Sequence, residues 1–214
     1  MKRKIIIATK NRGKIKEFCK ILSDKEFEIS SLLDLENVPK IDEDGSTFEE
    51  NAMKKSEYIF KITGQPAIAD DSGLEIDYLN GAPGIKSSRF EGDMITQDVK
   101  NEKIIEVMKG VNENKRGAQF RCVIAFTDNK GTRTFEGVCR GKISDRPKGS
   151  NGFGYDPIFI PEGYYETFGE LKENVKNNIS HRARALKKFH NWFMENKDKV
   201  FCSNNDKGKV LLIF

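Results

Sequence analysis

The chain has 214 residues, of which 37% are hydrophobic and 33% charged, which is enough apolar material for one well-buried domain and too much for a disordered chain. Its 37 basic and 33 acidic side chains are interleaved, so the net charge of +4 describes a solvated surface; no basic block with aromatic spacing marks a nucleic-acid face. Cys19, Cys122, Cys139 and Cys202 form no CxxC pair, which argues against a zinc site or disulfide framework, and no stretch approaches the roughly 20 apolar residues of a membrane span.

In chain order, Met1-Lys2-Arg3-Lys4 precedes an apolar run too short for a secretory signal, so a cytoplasmic protein is expected. Ile5-Ile6-Ile7-Ala8 reads as a buried strand, followed by a polar loop and a helix whose inner face carries Ile15, Phe18, Cys19 and Leu22. Ser46 and Thr47, with Glu49 and Glu50 three residues after each, offer two registers of a capping box for a second helix that Gly64 ends. Ala67-Ile68-Ala69 and the alternating Leu74, Ile76 and Tyr78 predict two strands on either side of a tight turn at Asp70-Asp71-Ser72-Gly73. A helix over residues 97–109 is expected behind an N-cap at Thr96, and Phe120, Cys122, Ile124 and Phe126 form a strand that returns over residues 132–140. The glycine-rich stretch from Pro147 to Pro157 leads into a strand at Ile158-Phe159-Ile160, and Ser180 caps a last helix with Ala183, Leu186, Phe189 and Phe193 on its inner side. These elements amount to an α/β fold with a mixed central sheet, one domain over residues 1–195 and a C-terminal extension over 196–214 without an assigned role.

Four stretches carry chemistry. The loop Thr9-Lys10-Asn11-Arg12-Gly13-Lys14 lies between a strand and a helix, where free backbone N–H groups and the helix dipole favour an anion; it is not a Walker loop, and an ordinary basic turn is the competing reading. Asp70 and Asp71 are adjacent carboxylates whose repulsion calls for a cation, and Mg²⁺ suits such a pair, with Asp42-Glu43-Asp44 able to add one ligand; a simple turn and cap is the alternative. In Gly152-Phe153-Gly154-Tyr155-Asp156-Pro157, aromatic rings between glycines suit stacking on a nucleobase or, equally, plugging a core. Ser180-His181-Arg182, with Lys176 upstream, sets an imidazole and a guanidinium at a helix start.

Together, Ala8–Lys14, Thr47–Ala52, Ala69–Leu74, Gly81–Ile85, Gly152–Pro157 and Ser180–Arg182 resemble the inosine triphosphate pyrophosphatase family in order and spacing. The resemblance implies an elongated, two-lobed α/β fold around a cleft, a homodimer, and Mg²⁺-dependent hydrolysis of the small-molecule nucleotides ITP, dITP and XTP to monophosphate and pyrophosphate, cleansing the nucleotide pool. It implies Asp71 as the catalytic carboxylate, Asp71, Glu43 and Asp70 as metal ligands, and Thr9, Asn11 and Lys14 at the phosphates, to which the loop's own composition adds Lys10, Arg12 and Gly13 as candidates. Ser72, Phe153, Gly154, Tyr155, Asp156, Lys176, His181 and Arg182 would surround the nucleotide, with the donor-only Arg182 favouring a 6-keto purine over adenine.

Departures from the family pattern include Asn151 where a glycine is frequent, Ala183 after His181-Arg182, and Lys86 and Ser88 after Gly84. The competing functional classes are a nucleic-acid-binding module and a nucleotide sensor without turnover. The acidic corner argues against the first, and neither membrane attachment nor a stable nucleic-acid partner is expected.

Overall fold

The computed structural model describes residues 3–22, 27–35, 38–39, 41–92 and 94–200. Its centre is a six-stranded sheet in the order β2-β1-β3-β4-β5-β6, built from β1 (Arg3–Ile7), β2 (Phe27–Ser31), β3 (Ala67–Ile76), β4 (Gly117–Asp128), β5 (Gly131–Ile143) and β6 (Phe159–Pro161). β1 pairs parallel with β2 and β3, whereas β3-β4, β4-β5 and β5-β6 are antiparallel, so the sheet is mixed, as expected. The helices are α1 (Arg12–Ile21), α2 (Phe48–Thr63), α3 (Gln97–Val107), α4 (Glu173–Ile179) and α5 (His181–Val200). Among the described residues no helix is long and apolar enough to cross a membrane.

Alternation along the strands assigns each helix to a face. Ile5, Ile7, Ile68, Cys122, Ile124 and Phe126 pack with Phe18 of α1 and with Leu186, Phe189 and Phe193 of α5. The residues between them point the other way: Ile6, Ala8, Ala67 and Ala69 pack with Ile59, and Val123 and Ala125 with Phe48 and Ala52, so α2 covers the second face. Farther along the first face a separate cluster joins Leu74, Ile76, Ala118 and Phe120 to Ile104 and Met108 of the α3 region and to Phe159 and Phe168. Polar residues of β3 and its neighbours interrupt the apolar surface between these two clusters, and the candidate site forms at that seam.

Several expectations change. The two strands around an acidic corner are one continuous strand: all ten residues of β3 pair in register with β4, Asp70 opposite Ile124 and Asp71 opposite Val123. The alternation of Leu74 and Ile76 therefore extends back through both aspartates without a turn. Of the two capping registers, Thr47 is the N-cap of α2: its Oγ1 accepts from Glu50 N at 3.1 Å, and the Glu50 carboxylate accepts from Ser46 N at 2.6 Å. α3 stops at Val107, and Thr96 precedes it without a side-chain capping bond. The hairpin strand runs to Ile143, Ile158 closes a 3-10 turn and only Phe159–Pro161 pairs as β6. Ser180 caps α5 through its Oγ, which accepts from Ala183 N at 3.2 Å. At Asn151 the N–H donates to Gly169 O and the side-chain amide to Leu171 O. α5 continues through residue 196 to Val200, and residues 201–214 lie outside the described residues.

Candidate active site

A cavity of about 370 Å³ opens at the seam, within the range of small-molecule sites. Thr9, Asn11, Lys14, Glu43, Asp71, Ser72, Phe153, Gly154, Tyr155, Asp156, Lys176, His181 and Arg182 line it, together with Gly73, Ser87, Ser88, Gln97 and Phe120, which the sequence reading did not assign to a site. Lys10, Arg12, Gly13 and Asp70 are not part of that lining.

Local bonding explains the shape of the first loop. Thr9 Oγ1 accepts from Asn11 N, and Asn11 Oδ1, the N-cap of α1, accepts from Lys14 N. These bonds turn the chain sharply and bring Lys14 inward, while Lys10 and Arg12 stay exposed. Gly13 serves a different neighbour from the anion expected for it: a Cβ there would lie 2.7 Å from Cδ1 of Phe153, so the missing side chain makes room for that ring. Gly152, with φ +75, is required in the same way, because a Cβ would fall 2.0 Å from Asp156 Oδ2.

β3 is buried on both faces, and its pleat sends the two aspartates apart. Asp70 faces α1 and α5. Its Oδ2 accepts from Arg182 Nε and Nη2 at 3.1 and 3.0 Å and lies 3.0 Å from Lys14 Nζ. Burial alone would push Asp70 up, yet Lys14 and Arg182 outweigh it and hold the carboxyl far below the usual range. Arg182 also donates through Nη2 to Ser72 Oγ and through Nη1 to Glu17. Lys176 completes the network, with Nζ 2.8 Å from Glu17 Oε1 and 2.6 Å from Asp156 Oδ2. The six side chains Lys14, Asp70, Arg182, Glu17, Lys176 and Asp156 carry three charges of each sign, all but Lys14 nearly dry. Burial pushes Glu17 up, but Arg182 and Lys176 reverse this and lower it.

This network underlies an aromatic wall. Lys176 Nζ sits 4.6 Å and Arg182 Cζ 5.6 Å from the Phe153 ring centre, within cation–π range. His181 stacks on Phe120 at 4.6 Å and 13°. Burial, followed by Arg182 and Lys176, drives the His181 pKa well down, so the ring is neutral, and its Nδ1 has no partner among the described residues.

Asp71 faces α2. Its Oδ2 accepts from Asn51 Nδ2 at 3.0 Å, and its Oδ1 lies 3.5 Å from Lys55 Nζ, which also bonds Glu43 Oε1 at 2.6 Å. Asn51 Oδ1 in turn accepts from Gly45 N, which ties the Glu43 segment to the same helix. Burial raises the Asp71 pKa beyond what Lys55 and Lys14 can offset, whereas Lys55 overrides burial at Glu43 and lowers it. Two carboxylates thus share one buried lysine and carry a net charge of −1 at the cavity wall. Among the described residues no group of three or more His, Cys, Asp or Glu could by itself hold a metal.

Among the functional side chains that sequence reasoning missed, beside Asn51 and Lys55 of α2, is Glu17. Its signal was present: it lies three residues after Lys14 and beside Phe18 on the inner face of α1, where an acidic residue needs a buried partner.

The Ham1 family model matches residues 5–192. The chain is 46% identical to a dITP/XTP pyrophosphatase of Bacillus licheniformis over 87% of this chain and 95% of that protein. It is 45% identical to a dITP/XTP pyrophosphatase of Bacillus subtilis over 86% of this chain and 93% of that one. Among solved structures, a HAM1 protein from Coxiella burnetii superposes with a TM-score of 0.83 at 40% identity over 90% of this chain and 99% of the other. The Staphylococcus aureus Ham1 protein gives 0.82 at 38% identity, covering 91% and 100%.

Proposed function

The chain belongs to the Ham1 family, and we propose that it hydrolyses non-standard purine nucleoside triphosphates, ITP, dITP and XTP, to the nucleoside monophosphate and pyrophosphate in a Mg²⁺-dependent reaction. The observation that carries the reading is the pairing, in one cavity, of a cation-backed aromatic wall with an incompletely neutralised carboxylate pair. A flat base suits the first, and a triphosphate with its cation suits the second.

Glu43 and Asp71 fit Mg²⁺ by donor chemistry, because that ion takes one or two hard carboxylate oxygens and completes its shell with water and phosphate. Asp70 suits it less, since Lys14 and Arg182 already neutralise that group. When bound, the ion would supply Lewis-acid stabilisation of charge developing on the phosphates. Asp71, with its raised pKa, orients a water and takes up its proton as the water attacks phosphorus. Asn51 holds that carboxylate in place. Lys14 supplies positive charge toward the triphosphate, and Thr9 and Asn11 shape the turn that receives it.

Base choice rests on donors. Nε, Nη2 and one hydrogen of Nη1 of Arg182 are engaged by Asp70, Ser72 and Glu17, leaving one Nη1 hydrogen for a 6-keto oxygen. Adenine would oppose that hydrogen with its own amino donor. We infer a cytoplasmic homodimer as the working form, on the sequence resemblance alone; light scattering checks the oligomeric state. The test of function is a panel of ITP, XTP, dITP, ATP and GTP, scored for pyrophosphate with and without Mg²⁺. Fast pyrophosphate release from the first three is expected; equal rates on ATP and GTP, or phosphate as the product, would overturn the reading.

A further inference from the structure

The loop carrying Phe153 is tied down on either side of its apex. Asn151 N donates to Gly169 O, Phe153 N to Asp156 Oδ2, and Gly169 N to Asp156 O. Its apex, Gly154, has φ +65 and open space where a Cβ would be, so no side chain of its own holds it. There, a hydrogen bond arrives from a different element: Asn101 Nδ2 donates to Gly154 O at 3.2 Å. Asn101 is 2% exposed, although asparagine on a helix normally faces water. Its Oδ1 accepts from Gln97 Nε2 at 3.3 Å, one helical turn earlier, and Gln97 itself reaches the cavity wall.

The order of donors leaves little freedom. A carbonyl at Gly154 demands the NH₂ end of Asn101, which leaves the Asn101 oxygen to face Gln97, which must then present its own NH₂. Each amide is thereby locked against rotation by the next. The same turn of α3 also holds another part of the lining, with Lys100 Nζ donating to Ser88 O, and the loop meets that segment through Tyr155 Oη, which donates to Ser87 O at 2.8 Å.

We propose that Asn101 and Gln97 are positioning residues for the nucleotide base, a two-amide relay from α3 that fixes the Gly154 apex and with it the Phe153 wall. The proposal rests on the reading of the cavity as a purine nucleotide site. It assigns a task to two polar residues that take no part in the chemistry at Asp71. The relay acts on affinity: a loosened apex must be ordered each time a base binds, and that ordering costs free energy in the bound state and the transition state alike.

The test uses Asn101→Leu and Gln97→Met, which keep approximate volume and add no charge near the phosphates. Steady-state kinetics on ITP with Mg²⁺ should show KM raised roughly tenfold with kcat within about threefold of the parent, the signature of lost uniform binding. Amide hydrogen exchange without nucleotide should quicken in residues 152–156 and stay unchanged in β4 and β5. Unchanged KM, or unchanged exchange in the loop, would overturn the relay, as would a fall in kcat at constant KM. Should Asn101→Leu fold poorly, Gln97→Met decides, because its partly exposed position at the start of α3 tolerates methionine. The two readings separate cleanly: absence of ITP turnover in the parent defeats the nucleotide assignment, while the exchange experiment still tests the relay.

Discussion

Two charge clusters meet at the cavity from opposite faces of β3, and they are built to different specifications. Toward α1 and α5, Lys14, Asp70, Arg182, Glu17, Lys176 and Asp156 balance one another and fill the gap between two apolar clusters. Toward α2, Glu43 and Asp71 share Lys55 and remain one positive charge short. The first cluster is a finished structure that holds a surface in place. The second is left unfinished where a ligand arrives. Burial of ions without full compensation is unfavourable to folding, so a deficit beside a cavity marks the place where binding supplies what is missing.

The widest separation between the clusters should appear in turnover. Asp71→Asn is expected to lower pyrophosphate release from ITP by roughly 10²–10⁴-fold, read in a coupled pyrophosphate assay, while circular dichroism stays that of the parent. Activity within a few fold of the parent would remove Asp71 from the chemistry.

Stability should divide the clusters in the opposite sense. Arg182→Met leaves the buried Glu17 and Asp70 without a cation that they share, a loss of about 3–5 kcal/mol, seen as a lower denaturation midpoint in urea. Asp71→Asn should leave the midpoint unchanged or slightly raised at neutral pH, because the folded pKa of Asp71 lies above its ordinary value and its ionisation works against the fold. Comparable losses in both variants would erase the distinction between the two clusters.

The pH dependence of stability is a finer probe. Glu17 and Asp70 have folded pKa values below their ordinary 4.5 and 3.8, so the unfolded chain binds more protons between the folded and ordinary values. Their contribution is therefore complete above the ordinary values and is lost as pH falls through the folded ones. Urea midpoints measured as pH is lowered through and below pH 4.5 should decline in the parent and decline less steeply in Glu17→Gln. Identical slopes would show that Glu17 does not titrate as part of this network.

Much of this arrangement was legible in the chain because local rules and tertiary packing agree there. Thr47 with Glu50, the alternation of Phe120 through Phe126, and Ser180 before the last helix all act through neighbours a few residues away. The aspartates misled because Asp70-Asp71-Ser72-Gly73 has turn composition, and turn propensity yields when the residues before and after it pair in register with one long partner strand, β4. Once the strand is continuous, its two-residue period separates side chains that adjacency in sequence seemed to join. β2 and α4 escaped notice for a related reason. β2 is a five-residue strand specified by its pairing with β1, and α4 is a seven-residue helix whose N-cap, Lys172, makes no side-chain capping bond. Asn101 and Gln97 carry no motif at all; only the approach of Gly154 reveals them.

The unfinished character of the α2-side cluster is tested most directly by pyrophosphate release from ITP as a function of Mg²⁺ concentration, in the parent and in Glu43→Gln. The account predicts no release by the parent without a divalent cation, and a requirement for roughly tenfold or more additional Mg²⁺ once one of the two carboxylates is neutralised, in line with loss of one ligand from a two-carboxylate site. Turnover in the absence of any divalent cation, or an identical Mg²⁺ dependence in the two proteins, would contradict it.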